Sequence, residues 1–242
     1  MDGELLRYRE WEALAAGLVA GITRAGAGTF SVSAGSGDEL LEVYSGLAEQ
    51  SGFRAIAVPR QVHGADVETI YRDGASGEGA TRVLLAGRVD GLVTGDAGVL
   101  LASTAADCVP VYLCDPEARA VGLVHAGWRG VVSGILERGL EALAGVGAET
   151  QRVRVHLGPA ICGACYEVDA RVLRHFGSSS EKAQLDLRGA LIQQAMVAGA
   201  RARNVTVSTH CTSCGDADLH SHRASGGKAG RMAAFTGFRR TE

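Results

Sequence analysis

The stretch Thr104 to Gly130, TAADCVPVYLCDPEARAVGLVHAGWRG, lays out the fold in three apolar runs and a helix start. The run from Val99 ends at Ala106 and reverses at Asp107-Cys108 into a second, Val109 to Cys114. A third, Ala120 to Val124, stops at His125 before Ala-Gly-Trp-Arg-Gly. Short apolar runs bounded by turn residues read as buried strands. Beyond Gly130 the apolar positions Val131, Ile135, Leu136, Leu140 and Leu143 have helical spacing, so the His125 motif is a strand-to-helix junction. Cys108 and His125 each stand at a strand end, which suggests a site.

Outward from this stretch, strands are expected at Leu18–Thr23, Ala55–Val58, Val67–Ile70, Val153–Leu157, Val205–Thr209 and Met232–Phe238, with a turn into a strand at Val89–Thr94. Helices are expected at Asp38–Gln50, Val168–Phe176 and Leu185–Arg203, and a polar glycine-rich loop at Asp73–Gly79; Glu10–Arg24 is also open to a helix by its alanines, with strand preferred for its second half. Elements of both kinds alternate irregularly, with several strands adjacent. That pattern predicts an α+β fold over residues 1–242, one domain with a mixed β-sheet core flanked by helices, rather than a doubly wound parallel sheet.

Composition narrows the class. Glycine supplies 34 of the 242 residues, about twice its usual share, which favours tight turns over a helical bundle. A net charge of −3 and no long basic run argue against a nucleic-acid partner. The N-terminus is acidic where a signal peptide is basic, and its apolar stretch is too short to span a bilayer, so no membrane role and a cytoplasmic location are expected. Neither Gly-x-Gly-x-x-Gly after a strand nor a P-loop is present.

Three separate turns present His63, Cys108 and His125. A thiolate and two imidazoles suit zinc, and three protein ligands leave a fourth position open, as catalytic sites do. Taken singly, each residue reads more simply as a packed thiol or a hydrogen-bonded loop histidine, since ligation needs partners that sequence distance does not show. Cys162-x-x-Cys165 and Cys211-x-x-Cys214 compete as a closed four-thiolate site, but the long gap between them favours adjacent unpaired thiols. His210, Cys211, His220 and His222 form a further dense group, of which one or two are expected to line a pocket. His156 and His175 read as structural. Arg60, Arg129, Arg223 and Arg231 are placed to clamp an anion.

Gln61-Val62-His63-Gly64, Asp90-Gly91-Leu92-Val93-Thr94, Ala106-Asp107-Cys108-Val109-Pro110-Val111, His125-Ala126-Gly127-Trp128-Arg129-Gly130, Leu157-Gly158-Pro159-Ala160-Ile161, Cys211-Thr212, Ser221-His222-Arg223 and Gly230-Arg231-Met232 follow in order. This series resembles the YfiH family, also called the laccase-domain or multicopper polyphenol oxidoreductase family, whose members act as purine nucleoside phosphorylases. The resemblance covers about residues 55 to 238. It implies a zinc site on His63, Cys108 and His125, and phosphorolysis of adenosine, inosine, guanosine and methylthioadenosine with adenosine deamination besides. The segment Thr23–Asp38 and His222 depart from the family's pattern.

On that footing Cys108 and His125 are expected at the catalytic centre, with Asp107 as a candidate acid. Arg60, Arg129, Arg223 and Asp90 are expected to bind a small-molecule nucleoside and phosphate. The role of Asp107 or Asp90 as proton donor competes with one of orienting a ligand or closing a turn. Copper on the same ligands would give a polyphenol oxidase (laccase). A Cys108–His125 dyad would give a cysteine hydrolase acting on cell-wall precursors. A non-enzymatic role in cell division or wall assembly is the remaining alternative.

Overall fold

The computed structural model describes residues 4–30, 37–72, 81–215 and 218–240. Two six-stranded sheets lie face to face. The first is built from β1 (Leu5–Arg7), β2 (Leu18–Thr23), β3 (Ala55–Val58), β5 (Arg82–Leu85), β7 (Val99–Ala105) and β14 (Met232–Phe238), in the order β1-β2-β14-β7-β3-β5. The second contains β4 (Val67–Thr69), β6 (Gly91–Thr94), β8 (Val109–Asp115), β9 (Ala120–Ala126), β10 (Arg154–Leu157) and β13 (Val205–Val207), in the order β13-β10-β8-β9-β6-β4. A short ribbon pairs β11 (Glu167–Asp169) with β12 (Lys182–Gln184). Both large sheets are mixed: β3 runs parallel to β5 and β7, whereas β14 is antiparallel to β2 and β7. The α+β class holds, with two packed sheets in place of one.

The layering follows from which faces are apolar. Leu18, Ala20, Ile22, Leu101, Ala234 and Phe238 of the first sheet meet Leu92, Tyr112, Val121 and Leu123 of the second, forming a core between the sheets. The alternate residues Val19, Leu100, Ala102, Ala233 and Phe235 face outward onto α2 (Gly37–Gln50) through Tyr44, Leu47 and Ala48. On the other side, Val111, Leu113, Val124 and Val155 pack beneath α3 (Trp128–Val132), α4 (Ile135–Ala144) and α6 (Leu187–Val197). Strands buried on both faces cannot alternate in polarity, which is why β7, β8 and β9 read as continuous apolar runs. Each fully buried side chain such as Leu123 or Phe235 contributes about 1.5–3 kcal/mol of transfer free energy. Tyr112 joins the layers, its hydroxyl donating to the Gly21 carbonyl across the core at 2.8 Å.

Three expected helices differ in detail. The helix after Gly130 breaks between α3 and α4 at Gly134, whose φ of +76° is left-handed and open to glycine at little cost. Of the helix expected over 168–176, the first two residues belong instead to β11, which pairs with β12. Asp169 then caps the short helix α5 (Ala170–Leu173) by accepting from the backbone N–H groups of Arg171 and Val172. The helix expected to run to Arg203 ends at Val197, before Gly199 at φ +93°. Asp73–Gly79 lies outside the described residues, as do residues 31–36 of the Thr23–Asp38 segment. Elements not expected from sequence are β1, β5, β11 and β12, while the single turn α1 (Arg9–Glu12) forms where the sequence leaves Glu10–Arg24 open to a helix. Among the described residues no helix is long and apolar enough to cross a membrane.

Candidate metal centre

His63 stands in the β3–β4 connection, Cys108 at the β7–β8 reversal and His125 near the end of β9. The antiparallel register places Val109 opposite Ala126 and Pro110 opposite His125, so the residue that begins the β8 turn arrives beside the imidazole. The ligand atoms of His63, Cys108 and His125 lie within 4.8 Å of one another. The two rings meet edge to face at 4.9 Å between centroids. Gly127 gives this group its room: a Cβ there would come within 3.1 Å of the Cys108 Sγ and 3.3 Å of the His63 ring.

One buried carboxylate holds two of the three. Asp90 is fully buried and accepts from the backbone N–H groups of Val62, His63 and Gly64 at 3.1, 2.9 and 2.7 Å. Its Oδ1 also meets the His125 Nδ1 at 3.0 Å, which leaves Nε2 as the ring's free nitrogen. His63 takes a φ of +60°, a conformation that costs a non-glycine residue of order 1 kcal/mol, and the Asp90 cradle keeps it there. Burial works against the Asp90 carboxylate, but the His125 bond and the backbone donors outweigh it and hold its pKa below the usual range. Burial likewise opposes the Cys108 thiolate, yet the His125 and His63 imidazoles bring its pKa down to about 6. Despite desolvation, the same thiolate and Asp90 raise His125 to about 9. The site is therefore built to hold a thiolate between two imidazoles.

Asp107, also buried and at positive φ (+88°), ties the C-terminal segment to this centre. It accepts from the Thr212 hydroxyl at 2.6 Å, the Ser221 hydroxyl at 2.7 Å and the Arg223 backbone N–H at 2.6 Å. Gln61 makes a second tie. Its amide donates to the Thr104 carbonyl at 2.9 Å and accepts the Thr104 N–H at 2.8 Å, imitating a strand pair between the His63 loop and β7.

The three residues open on a cleft of about 890 Å³, within the range of small-molecule sites. Arg60, Asp107, Arg223, Arg231 and His222 share its lining. Asp90 lies beneath the site rather than in the cleft wall, and Arg129 is exposed, stacked over Trp128 at 4.3 Å and outside the lining. Residues not singled out from sequence also line it: Gln61, Thr104 and Tyr166. Tyr166 directly follows Cys165, and Arg223 lies 5.1 Å over its ring. Of the tail histidines, His222 lines the cleft as expected of that group, while His220 approaches the Gly28 carbonyl at 3.4 Å. His156 sits among Tyr8, Trp11 and Tyr112, and His175 packs on Trp128. The two Cys-x-x-Cys pairs, expected as adjacent unpaired thiols, come together despite their distance in sequence, with all four sulfurs within 4.8 Å of one another.

The profile of the family described as multi-copper polyphenol oxidoreductase laccase matches residues 19–239. The chain is 34% identical to the purine nucleoside phosphorylase YlmD of Geobacillus stearothermophilus, over 93% of this chain and 91% of that protein. It is also 34% identical to adenosine deaminase RL5 from an unknown prokaryotic organism, over 84% of each chain. The crystal structure of the hypothetical protein YfiH of Bacillus licheniformis superposes with a TM-score of 0.84 at 27% identity, covering 98% of this chain and 97% of that one. The chain belongs to the multi-copper polyphenol oxidoreductase laccase family and has its YfiH-like α+β fold.

Proposed function

We propose that the chain is a zinc-dependent purine nucleoside phosphorylase acting on adenosine, inosine, guanosine and S-methyl-5'-thioadenosine, with adenosine deamination as a second activity. The observation that carries this is the convergence of His63, Cys108 and His125 on a cleft roomy enough for a nucleoside and phosphate together and walled by Arg60, Arg223 and Arg231. The names of relatives, purine nucleoside phosphorylase and adenosine deaminase, support the same chemistry.

The donor set fits zinc. It offers one thiolate and two imidazoles, and the Asp90–His125 bond is the carboxylate–histidine arrangement that fixes a ligating ring. His63, Cys108 and His125 would hold the ion, and when bound it supplies Lewis acidity and lowers the pKa of water toward neutrality. The rest falls to the chain's own residues. Arg60, Arg223 and Arg231 bind and orient phosphate through charge-assisted hydrogen bonds. In phosphorolysis an oxygen of hydrogen phosphate bonds to the sugar carbon as the carbon–nitrogen bond breaks, its electron pair leaving with the purine, which takes up the proton that the phosphate brought. Tyr166, its phenol kept neutral by burial with a pKa pushed up to about 12, offers an apolar face to the base. Asp107 is occupied by three donors, so we assign it to positioning Cys108 and Arg223. The free thiols suit the reducing cytoplasm, where we place the activity.

The family description favours one rival, a copper polyphenol oxidase, because His-Cys-His also accepts copper. Incubating purified protein with inosine and phosphate separates the two. Hypoxanthine with ribose 1-phosphate is expected, as is ammonia from adenosine. Copper in the purified protein, turnover of a phenol and no ribose 1-phosphate would refute the proposal.

A further inference from the structure

Four cysteines stand apart from the cleft. Cys162 and Cys165 follow β10, and Cys211 and Cys214 follow β13. Those strands are parallel neighbours with Leu157 opposite Val207, and the alignment continues past their ends in a parallel bridge between Ala160 and Cys211. Two Cys-x-x-Cys turns remote in sequence are thus delivered side by side by one strand pair.

The four Sγ atoms lie within 4.8 Å of one another, and the Cys162 and Cys214 sulfurs are 3.9 Å apart. Four Zn–S bonds of about 2.3 Å at tetrahedral angles set sulfurs about 3.8 Å apart. A disulfide requires about 2.05 Å, and all four are free thiols. Backbone donors favour negative charge on sulfur here: the N–H groups of Cys162 and Ser213 point to the Cys211 Sγ at 3.2 and 3.4 Å. Packing four thiols together has no apolar purpose, because Cys214 is exposed and Cys162 and Cys165 only half-buried.

We propose that Cys162, Cys165, Cys211 and Cys214 hold a second, structural zinc ion that clamps the 162–165 turn to the 211–214 turn. Four protein ligands close the coordination sphere, so this ion performs no chemistry itself. Its effect is on the cleft wall. Tyr166 adjoins Cys165, Thr212 adjoins Cys211, and Thr212, Ser221 and Arg223 are the groups bound to Asp107 beside Cys108. The clamp fixes Tyr166 and Arg223 relative to each other without touching substrate.

The test counts metal in chains whose cleft site has been removed by Cys108→Ala with His125→Ala. Purified without added metal, this double variant is expected to retain about one zinc per chain, and adding Cys162→Ser and Cys214→Ser to lower that to about none. Because the quadruple variant can fail to fold, the double variant is also exchanged into cobalt. An intense thiolate-to-cobalt absorption of tetrahedral type supports the site, as does release of the zinc in step with modification of its thiols by a mercurial. A metal-free double variant whose thiols react at once, one containing disulfides, or one holding copper or iron in place of zinc overturns the proposal. None of these outcomes depends on phosphorolysis.

Discussion

Asp90→Asn offers the sharpest test of how the cleft centre is assembled. The substitution keeps volume and shape but turns one carboxylate oxygen into an NH2 donor. If that donor replaces Oδ1, it confronts the His63 N–H and the His125 Nδ1; if it replaces Oδ2, it confronts the Val62 and Gly64 N–H groups. The first arrangement conflicts with one backbone donor rather than two, provided that His125 moves its proton to Nε2. One orphaned buried N–H costs about 1–3 kcal/mol, and the remaining bonds lose their charge assistance, for a total of about 2–4 kcal/mol. The tautomer change removes the free ring nitrogen, so zinc affinity is expected to fall about 10- to 100-fold, as when a ligand's supporting carboxylate is lost. Urea unfolding of the metal-free protein reads the first quantity, and competition with a chromogenic chelator reads the second. Wild-type zinc affinity in a folded Asp90→Asn protein would refute the role given to this carboxylate.

Gly127→Ala places a methyl group against the Cys108 sulfur and the His63 ring, so zinc affinity should drop about tenfold or more while the melting temperature stays within a few degrees of wild type, by chelator competition and thermal unfolding. Arg223→Ala should raise the KM for phosphate about tenfold or more with a smaller effect on the nucleoside KM, as read by initial rates of inosine phosphorolysis. His156, its pKa lowered to about 4 by burial, makes stability fall with acid: the contribution is fully present above its unfolded pKa near 6.5 and is lost as pH falls toward 4. His156→Phe should flatten that slope by up to about 3 kcal/mol in urea unfolding between pH 7 and 4, and an unchanged slope would show that this histidine is not its source.

Much of this molecule was legible because its central strands are buried on both sides. Leu18–Thr23, Ala55–Val58 and Met232–Phe238 match expectation residue for residue, since bounded apolar runs of that length have few other uses. The same property hid the second sheet: without alternation, sequence does not say which residues of β7 face α2 and which face β9. The elements without a signal in the sequence, β1, β5, β11 and β12, are short, and β5 has no buried residue along Arg82–Leu85. His63, Cys108 and His125 were visible as ligands at turns, but their convergence is tertiary. For Asp90 the sequence leaves substrate binding, proton transfer and the orienting of a ligand all open, because nothing local reveals three backbone donors twenty-six to twenty-eight positions away. The cysteine pairs were discounted on sequence distance, which the parallel β10–β13 pairing makes irrelevant.

The position of β14 bears on how the chain reaches this state. Residues 232–238 fill the slot between β2 and β7, bonded along both edges. On a ribosome, β2 and β7 therefore emerge long before the strand that joins them, each with an unpaired apolar edge. Such edges invite pairing with other chains. The first sheet closes only once β14 has emerged, so its edges are most open to pairing with other chains in the interval between the emergence of β7 and that of β14.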